Sequence, residues 1–123
     1  MKSFDKEVKE KWQNTKAYKE YQEKTINYSK EKWNNVNDVM NNIIEEFSIC
    51  MNNGFKSNSD DVIDLVKKFQ NHITNYYFTC TNDILLELGN MYVCDERFKA
   101  NINKYAEGTA SYIYEAIRYF CEQ

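Results

Sequence analysis

An all-α fold is predicted by three features of this 123-residue chain. Proline is absent, and glycine occurs only as Gly54, Gly89 and Gly108. Apolar residues recur at three- and four-residue spacing in one segment after another. Ser, Thr, Asn or Asp, the residues that cap helix N-termini, precede most of those segments. Short-stranded β architecture would need turn signals that this chain lacks. The length suits a single domain, 1–123, and is enough to bury a true hydrophobic core.

Taken in order, residues 3–13 form a charged helical segment with Phe4, Val8 and Trp12 four residues apart. Gln13-Asn14 stops it. Asn14 or Thr15 then caps a helix over 15–27 that carries Tyr18, Tyr21 and Ile26 among Lys and Glu. Ser29 caps a longer helix over about 30–53, with Lys32 where a capping box would place Glu. Its stripe is the clearest in the chain: Trp33, Val36, Met40, Ile43/Ile44, Phe47 and Met51. Asn52-Asn53-Gly54 ends it. After a loop, Ser59 or Asp60 starts a helix whose stripe is Val62, Val66, Phe69, Ile73 and Tyr76/Tyr77. Thr81 or Asn82 starts a helix over 82–92 with Ile84, Leu85, Leu88 and Met91/Tyr92. Asp95 caps a short helix over 96–104 that buries Phe98 and Ile102. The last helix, about 107–121, has Ala110, Ile113, Ile117 and Phe120 on one face, with Tyr112, Ala116 and Tyr119 beside it.

The two ends of the chain differ in apolar density. Residues 1–28 offer Phe4, Val8, Trp12, Ala17, Tyr18, Tyr21, Ile26 and Tyr28 for burial. Lys30 to Asn53 offers Trp33, Val36, Val39, Met40, Ile43, Ile44, Phe47, Ile49, Cys50 and Met51. A large buried apolar side chain contributes ~1.5–3 kcal/mol, and ordering a residue costs ~1.5 kcal/mol. By that comparison, 1–28 is the weakest part of the fold and 29–123 is the helical core. The first 28 residues are expected to be loose alone and to become ordered when something completes their core. The alternative is a pair of ordinary surface helices.

Charge and composition exclude several function classes. The net charge is -3 and no basic patch dominates, so this chain alone is not expected to bind nucleic acid. No apolar run reaches the ~18 residues of a membrane span, and Met1 to Glu7 has no signal-peptide core. A cytoplasmic protein is expected. Cys50, Cys80, Cys94 and Cys121 are widely spaced and form no CxxC or His/Cys pair. Four free thiols and no metal site are therefore expected. Ten tyrosines are more than a plain core needs. Surplus Tyr and Trp suit a cleft for something part apolar and part polar, although an AT-rich genome gives the same count.

One stretch gathers the candidate chemistry. Tyr76-Tyr77-Phe78-Thr79-Cys80-Thr81-Asn82-Asp83 is followed by Leu88-Gly89-Asn90-Met91-Tyr92-Val93-Cys94-Asp95-Glu96-Arg97-Phe98. Aromatic rings, a thiol and two helix ends fall within a short run. That combination suits the wall of a binding cleft.

Those residues carry a resemblance to a known family. With Trp12-Gln13-Asn14-Thr15-Lys16-Ala17-Tyr18, Tyr28-Ser29-Lys30-Glu31-Lys32-Trp33, His72, Tyr105, Gly108, Ala110, Tyr112 and Ala116-Ile117, they resemble the TipAS-type antibiotic-recognition domain. The match runs from about Lys9 to Tyr119, and the Met-Tyr-Val-x-Asp-x-Arg-Phe run is its most specific part. The resemblance implies a compact, globin-like helical fold without haem. It implies the drug sensor of a MerR-family transcription activator, with bulky apolar natural products, notably thiopeptide antibiotics, as ligands. It also implies mobile N-terminal helices that close over the ligand as a lid. The winged-helix domain and dimerising helix of full regulators do not occur in this sequence. The chain is therefore expected to be either a sensor separated from them or a stand-alone drug binder. Thr79 and Cys94 depart from the usual family residues at their positions.

The ligand wall is expected to comprise Trp12, Tyr18, Trp33, Tyr76, Tyr77, Tyr92 and Tyr112, whose rings can stack on thiazole or aryl groups. The alternative for each is plain core packing; Trp33 is the most core-like of them, and Trp12 and Tyr18 the most ligand-dependent. His72, the sole histidine, is expected in the core or cleft, donating to a ligand amide in the latter case. A haem role for it has no support in the family pattern, and no cofactor is expected. Cys80 matches the family cysteine that adds to a thiopeptide dehydroalanine, a reaction that requires the thiolate. The following helix N-terminus favours that thiolate and Asp83 opposes it; the alternative is a buried, inert cysteine. Asp95 and Arg97 are read as structural. A cysteine-based redox or electrophile sensor is the alternative function. An enzyme is not expected, because the sequence shows no paired carboxylates and no nucleophile–base spacing.

Overall fold

A computed structural model describes residues 15–122 of the chain. The expected segment 3–13, with Phe4, Val8 and Trp12, lies outside the described residues. Six helices and no strands occur among those described: α1 (Lys16–Thr25), α2 (Lys30–Asn52), α3 (Asp60–Tyr76), α4 (Asn82–Cys94), α5 (Glu96–Asn103) and α6 (Thr109–Glu122). The all-α expectation holds, and each helix falls within about two residues of its expected span.

The helix starts follow local chemistry. Thr15, Ser29, Thr81 and Asp95 each stand in extended backbone, and their side-chain oxygens accept from the N–H of Tyr18, Lys32, Ile84 and Arg97. Each bond satisfies one of the donors a helix start leaves open. Ser59 caps α3 through its backbone, but its side chain makes no capping bond. Asp60 and Asp61 instead place negative charge at the positive end of α3. The end of α2 is closed by two reversed bonds, Gly54 N–H to Met51 O at 3.1 Å and Phe55 N–H to Cys50 O at 3.0 Å. That closure needs a left-handed residue, and Gly54 supplies it with φ 83°.

α2 and α3 run antiparallel. Val36 meets His72 across the pair, and Phe47 meets Phe69, so rising positions on one helix face falling positions on the other. α4 and α6 are antiparallel by the same logic, since Cys121 lies over Asn82 and Ile117 over Gly89. Their approach is close. A Cβ at Gly89 would stand 3.0 Å from Tyr114 Cδ1 and 3.2 Å from Ile117 Cδ1. The backbone of α4 sits where a larger residue would collide.

The core fills the space between these pairs. Phe47, Val62, Val66, Phe69, Leu85, Ile113 and Ile117 are fully enclosed. Not every apolar residue counted for burial goes inside. Val39 is 45 % exposed, Ile49 50 % and Ile26 77 %. Val39 and Ile49 lie off the α2 stripe, and Ile26 follows the last turn of α1, so none faces a neighbouring helix. α1 itself buries Ala17 and Tyr21. That is a smaller apolar footprint than α3, which buries Val62, Ile63, Val66, Phe69, His72 and Ile73.

Candidate ligand-binding site

Aromatic side chains converge where α1, the start of α2 and the end of α3 meet. Tyr77 is their centre. Its ring stacks on Tyr21 (6.1 Å between centroids, 11° between planes) and lies 6.1 Å from Trp33 and 6.0 Å from His72. Tyr18 extends the stack one ring further, 6.1 Å from Tyr21. Tyr28 meets Trp33 edge-on at 5.2 Å, and its hydroxyl donates to the Tyr76 carbonyl at 2.9 Å. Such offset and edge-on pairs are favourable beyond the area they bury. Tyr21, His72 and Tyr77 form a buried floor, while Tyr18, Tyr28, Trp33 and Tyr76 are half-buried around it. The result is a partly exposed aromatic shelf with polar edges.

The local sequence accounts for this shelf. Tyr18 and Tyr21 are three apart on α1 and share a face. Tyr76 and Tyr77 sit where α3 ends, so their rings are free to turn toward α1 and α2. Lys32 explains its own departure from the capping box. Its Nζ lies 4.8 Å from the Tyr76 ring centre and 5.7 Å from that of Tyr28. A cation over two rings offsets the unfavourable helix-dipole position.

His72 is buried, with Nε2 3.0 Å from the Val36 carbonyl oxygen. That contact requires a proton on Nε2, so the ring acts as a neutral donor. Burial holds its pKa below the ordinary value, and the Val36 bond opposes this only in part. A histidine with a lowered folded pKa binds its proton more readily in the unfolded chain. Stability should therefore fall as pH drops through the ordinary histidine value of about 6.5. Urea midpoints at pH 7.5 and 5.5 should show this loss in the parent, with a smaller loss in His72→Gln. An equal loss in both proteins would assign the effect to other groups.

Cys80 sits in the α3–α4 turn and is buried. Burial first, and the neighbouring Cys121 second, push its thiol up to about 12. Its Sγ lies 3.8 Å from the Thr81 carbonyl. The helix-dipole advantage expected for its thiolate is outweighed by desolvation. A redox or electrophile sensor requires the opposite environment, an exposed and acidic thiol. Two hydrogen bonds hold the Cys80 backbone: its N–H donates to Thr74 Oγ1 at 3.1 Å, and Gln70 Nε2 donates to its carbonyl at 2.8 Å.

Of the other expected wall residues, Tyr92 and Tyr112 are both buried. Tyr92 packs in the core between Phe69 (6.1 Å) and Phe98 (6.0 Å), and burial raises its pKa. Tyr112 is buried, and its hydroxyl donates to Phe55 O at 2.7 Å, beyond the end of α2. Trp33 stands near the start of that helix. Nineteen residue steps from Trp33 to Asn52, at ~1.5 Å each, place the ends of that span about 28 Å apart. Trp12 lies outside the described residues. The structure thus brings Tyr18, Trp33, His72, Tyr76 and Tyr77 together and sets Cys80 at the end of the same turn; Tyr92 lies buried near Tyr77 and Cys80, which both help to raise its pKa, and Tyr112 is separated from the group. Sequence reasoning passed over Tyr21, Tyr28 and Lys32 as shelf residues. The i, i+3 spacing of Tyr21 from Tyr18 was the available signal. No group of three or more His, Cys, Asp or Glu side chains placed to hold a metal occurs among the described residues. No helix among them is long and apolar enough to cross a membrane.

Comparisons with known proteins agree with this arrangement. A family model described as the TipAS antibiotic-recognition domain matches residues 4–120. The chain is 34% identical over 114 residues to the HTH-type transcriptional activator TipA of Streptomyces coelicolor, covering 93% of this chain and 45% of that protein. It is 33% identical over 103 residues to the HTH-type transcriptional activator mta of Bacillus subtilis, covering 84% of this chain and 39% of the relative. The chain thus spans less than half the length of these curated relatives. A solved structure of TipAS from Streptomyces lividans in complex with nosiheptide, described as part of a thiopeptide antibiotic multidrug resistance system, matches with a TM-score of 0.87. That match has 32% sequence identity and covers 98% of this chain and 85% of the other. The chain belongs to the TipAS antibiotic-recognition domain family.

Proposed function

We propose that this chain binds bulky, largely apolar antibiotics, thiopeptides foremost, on the aromatic shelf. It would serve as the effector-binding part of an HTH-type activator of the MerR family or as a separate drug-sequestering protein in the cytoplasm. The observation that carries this reading is the shelf itself: rings of Tyr18, Tyr28, Trp33 and Tyr76 left half-buried over a buried aromatic floor. Thiazole and aryl rings of a thiopeptide can stack there, while tyrosine hydroxyls and the indole N–H meet its amides. α1 is the element that moves, because its apolar footprint is small. Binding energy spent on ordering it would couple occupancy to conformation.

Covalent attachment at Cys80 is a second, separable step. The thiolate sulfur adds to the β-carbon of a dehydroalanine and a proton goes to the α-carbon, so nothing leaves. The buried Cys80 must first be exposed and deprotonated, and binding does not depend on it. The protein acts as a receptor and releases no altered ligand.

The test is a titration with nosiheptide, followed by amide NMR and intact mass. Amides of α1, Trp33, Tyr76 and Tyr77 should shift at a one-to-one ratio. A mass gain of one ligand, absent in Cys80→Ser, would add the covalent step. An unchanged spectrum at excess nosiheptide would sink the thiopeptide reading.

A further inference from the structure

The rings of Tyr28, Trp33 and Tyr76 form the kind of electron-rich cluster that attracts cations. The protein itself already fills that place. Lys32 Nζ lies 4.8 Å from the Tyr76 ring centre and 5.7 Å from that of Tyr28, which in turn meets Trp33 edge-on at 5.2 Å. Among the described residues, the two tyrosine rings are the only partners of the exposed Lys32 ammonium. An ammonium has three N–H donors, and a carbonyl or carboxylate satisfies them better than a ring face does. Two other charges near the shelf have partners of their own. Glu20 Oε1 accepts from the Thr79 backbone N–H and Oε2 from Thr79 Oγ1, both at 2.8 Å. Lys24 Nζ donates to the Thr74 carbonyl at 2.6 Å and pairs with Glu20 at 3.8 Å. Glu31 adjoins Lys32 in the chain, but adjacent positions on a helix do not face each other. His72 is buried and neutral. Lys32 is therefore the charge that a ligand seated on these rings would meet.

We propose that Lys32 sets the charge selectivity of the shelf: it admits aryl ligands with an anionic or carbonyl-rich edge and excludes lipophilic cations. This inference rests on the shelf being the ligand site, as proposed above. A planar ligand against Tyr28 and Tyr76 brings its edge to the Lys32 ammonium. A carboxylate or sulfonate there gains a charge-assisted hydrogen bond. A cationic ligand must displace Lys32 from both rings and meets its repulsion as well, so the rejection is built in as much as the attraction. The chain as a whole is acidic, with a net charge of -3, so attraction of anions here is a local property of Lys32. Helix chemistry does not account for the residue. It stands in the first turn of α2, where a cation opposes the helix dipole and a capping box would place Glu.

The test compares fluorescent aryl probes of different charge: anilinonaphthalene sulfonate (anionic), phenylnaphthylamine (its neutral counterpart) and ethidium (cationic). Titration gives each dissociation constant, and amide NMR places each probe. In the parent, the anionic probe should bind more tightly than the neutral one and shift the amides of Trp33, Tyr76 and Tyr77. Lys32→Met should weaken the anionic probe and tighten ethidium, each by about fivefold, and leave the neutral probe within about twofold. Lys32→Arg keeps a cation over the rings and should keep the parental order. Lys30→Met removes an equal charge from the same helix start and should change none of the constants. Lys30 and Lys32 are both exposed, so these variants should stay folded. An anionic-to-cationic affinity ratio in Lys32→Met within about threefold of the parent would overturn the proposal. So would an equal change in Lys30→Met, or an anionic probe that shifts other amides and not these. Each of those outcomes leaves the nosiheptide titration to decide the drug reading. Conversely, probes that discriminate as expected while nosiheptide leaves the spectrum unchanged would support the charge selection and sink only the thiopeptide reading.

Discussion

Phe69→Ala is expected to remove about 3–5 kcal/mol of folding stability. Phe69 is fully enclosed near the middle of α3. Its ring meets Phe47 of α2 edge-on at 6.5 Å and Tyr92 of α4 at 6.1 Å. One side chain therefore joins three helices. Alanine would leave a cavity that helices already held by their neighbours cannot collapse to fill. Domains of this size have only about 5–15 kcal/mol in total. The urea midpoint should fall sharply, with little change in the slope of the transition. Phe69→Leu keeps most of the volume and should cost about half as much or less. A loss below about 1.5 kcal/mol for the alanine variant would mean that the core around Tyr92 is loosely packed, and would reopen Tyr92 as a cleft residue.

That example shows what the sequence could and could not reveal. The stripes of α2, α3 and α6 are regular, so their buried faces and the helix count were legible. Caps were legible because they are local: Thr15, Ser29, Thr81 and Asp95 act on N–H groups two or three residues away. The shelf was legible only in part. Tyr76, Tyr77 and Trp33 stood out as aromatic residues near helix ends, and they do meet. Tyr112 looked equivalent to them, because residue type and family pattern carry no information about which helix end faces which. Tertiary pairing decides that, through contacts such as Val36 with His72. The environment of Cys80 was legible only in part for a related reason. The helix start beside it is visible in sequence, whereas the burial that outweighs the dipole is not. Glu20 looked like one more charge on a solvated face. Its partner is 59 residues away, beyond the reach of any periodicity.

Tyr77→Ala is expected to weaken nosiheptide binding by about 2–4 kcal/mol, roughly thirtyfold to several hundredfold. Tyr77 is the ring that Tyr21, Trp33 and His72 all contact. Removing it would withdraw the floor beneath the half-buried rings and the surface on which α1 docks. Affinity should fall both from lost contact and from the added cost of ordering α1. Tyr77→Phe keeps the stacking and gives up a long hydroxyl contact to Asn37 at 3.5 Å, so its affinity should stay near that of the parent. Tyr112→Phe is the spatial control. It removes a 2.7 Å bond to the Phe55 carbonyl and should cost about 1 kcal/mol of stability. Lying about 28 Å along α2 from the shelf, it should leave affinity unchanged. Calorimetric titration of the three variants, at a temperature where circular dichroism shows each to be folded, separates these effects. If Tyr112→Phe weakened binding as much as Tyr77→Ala, the ligand would have to reach the far end of α2. The shelf would then be only one part of a longer groove.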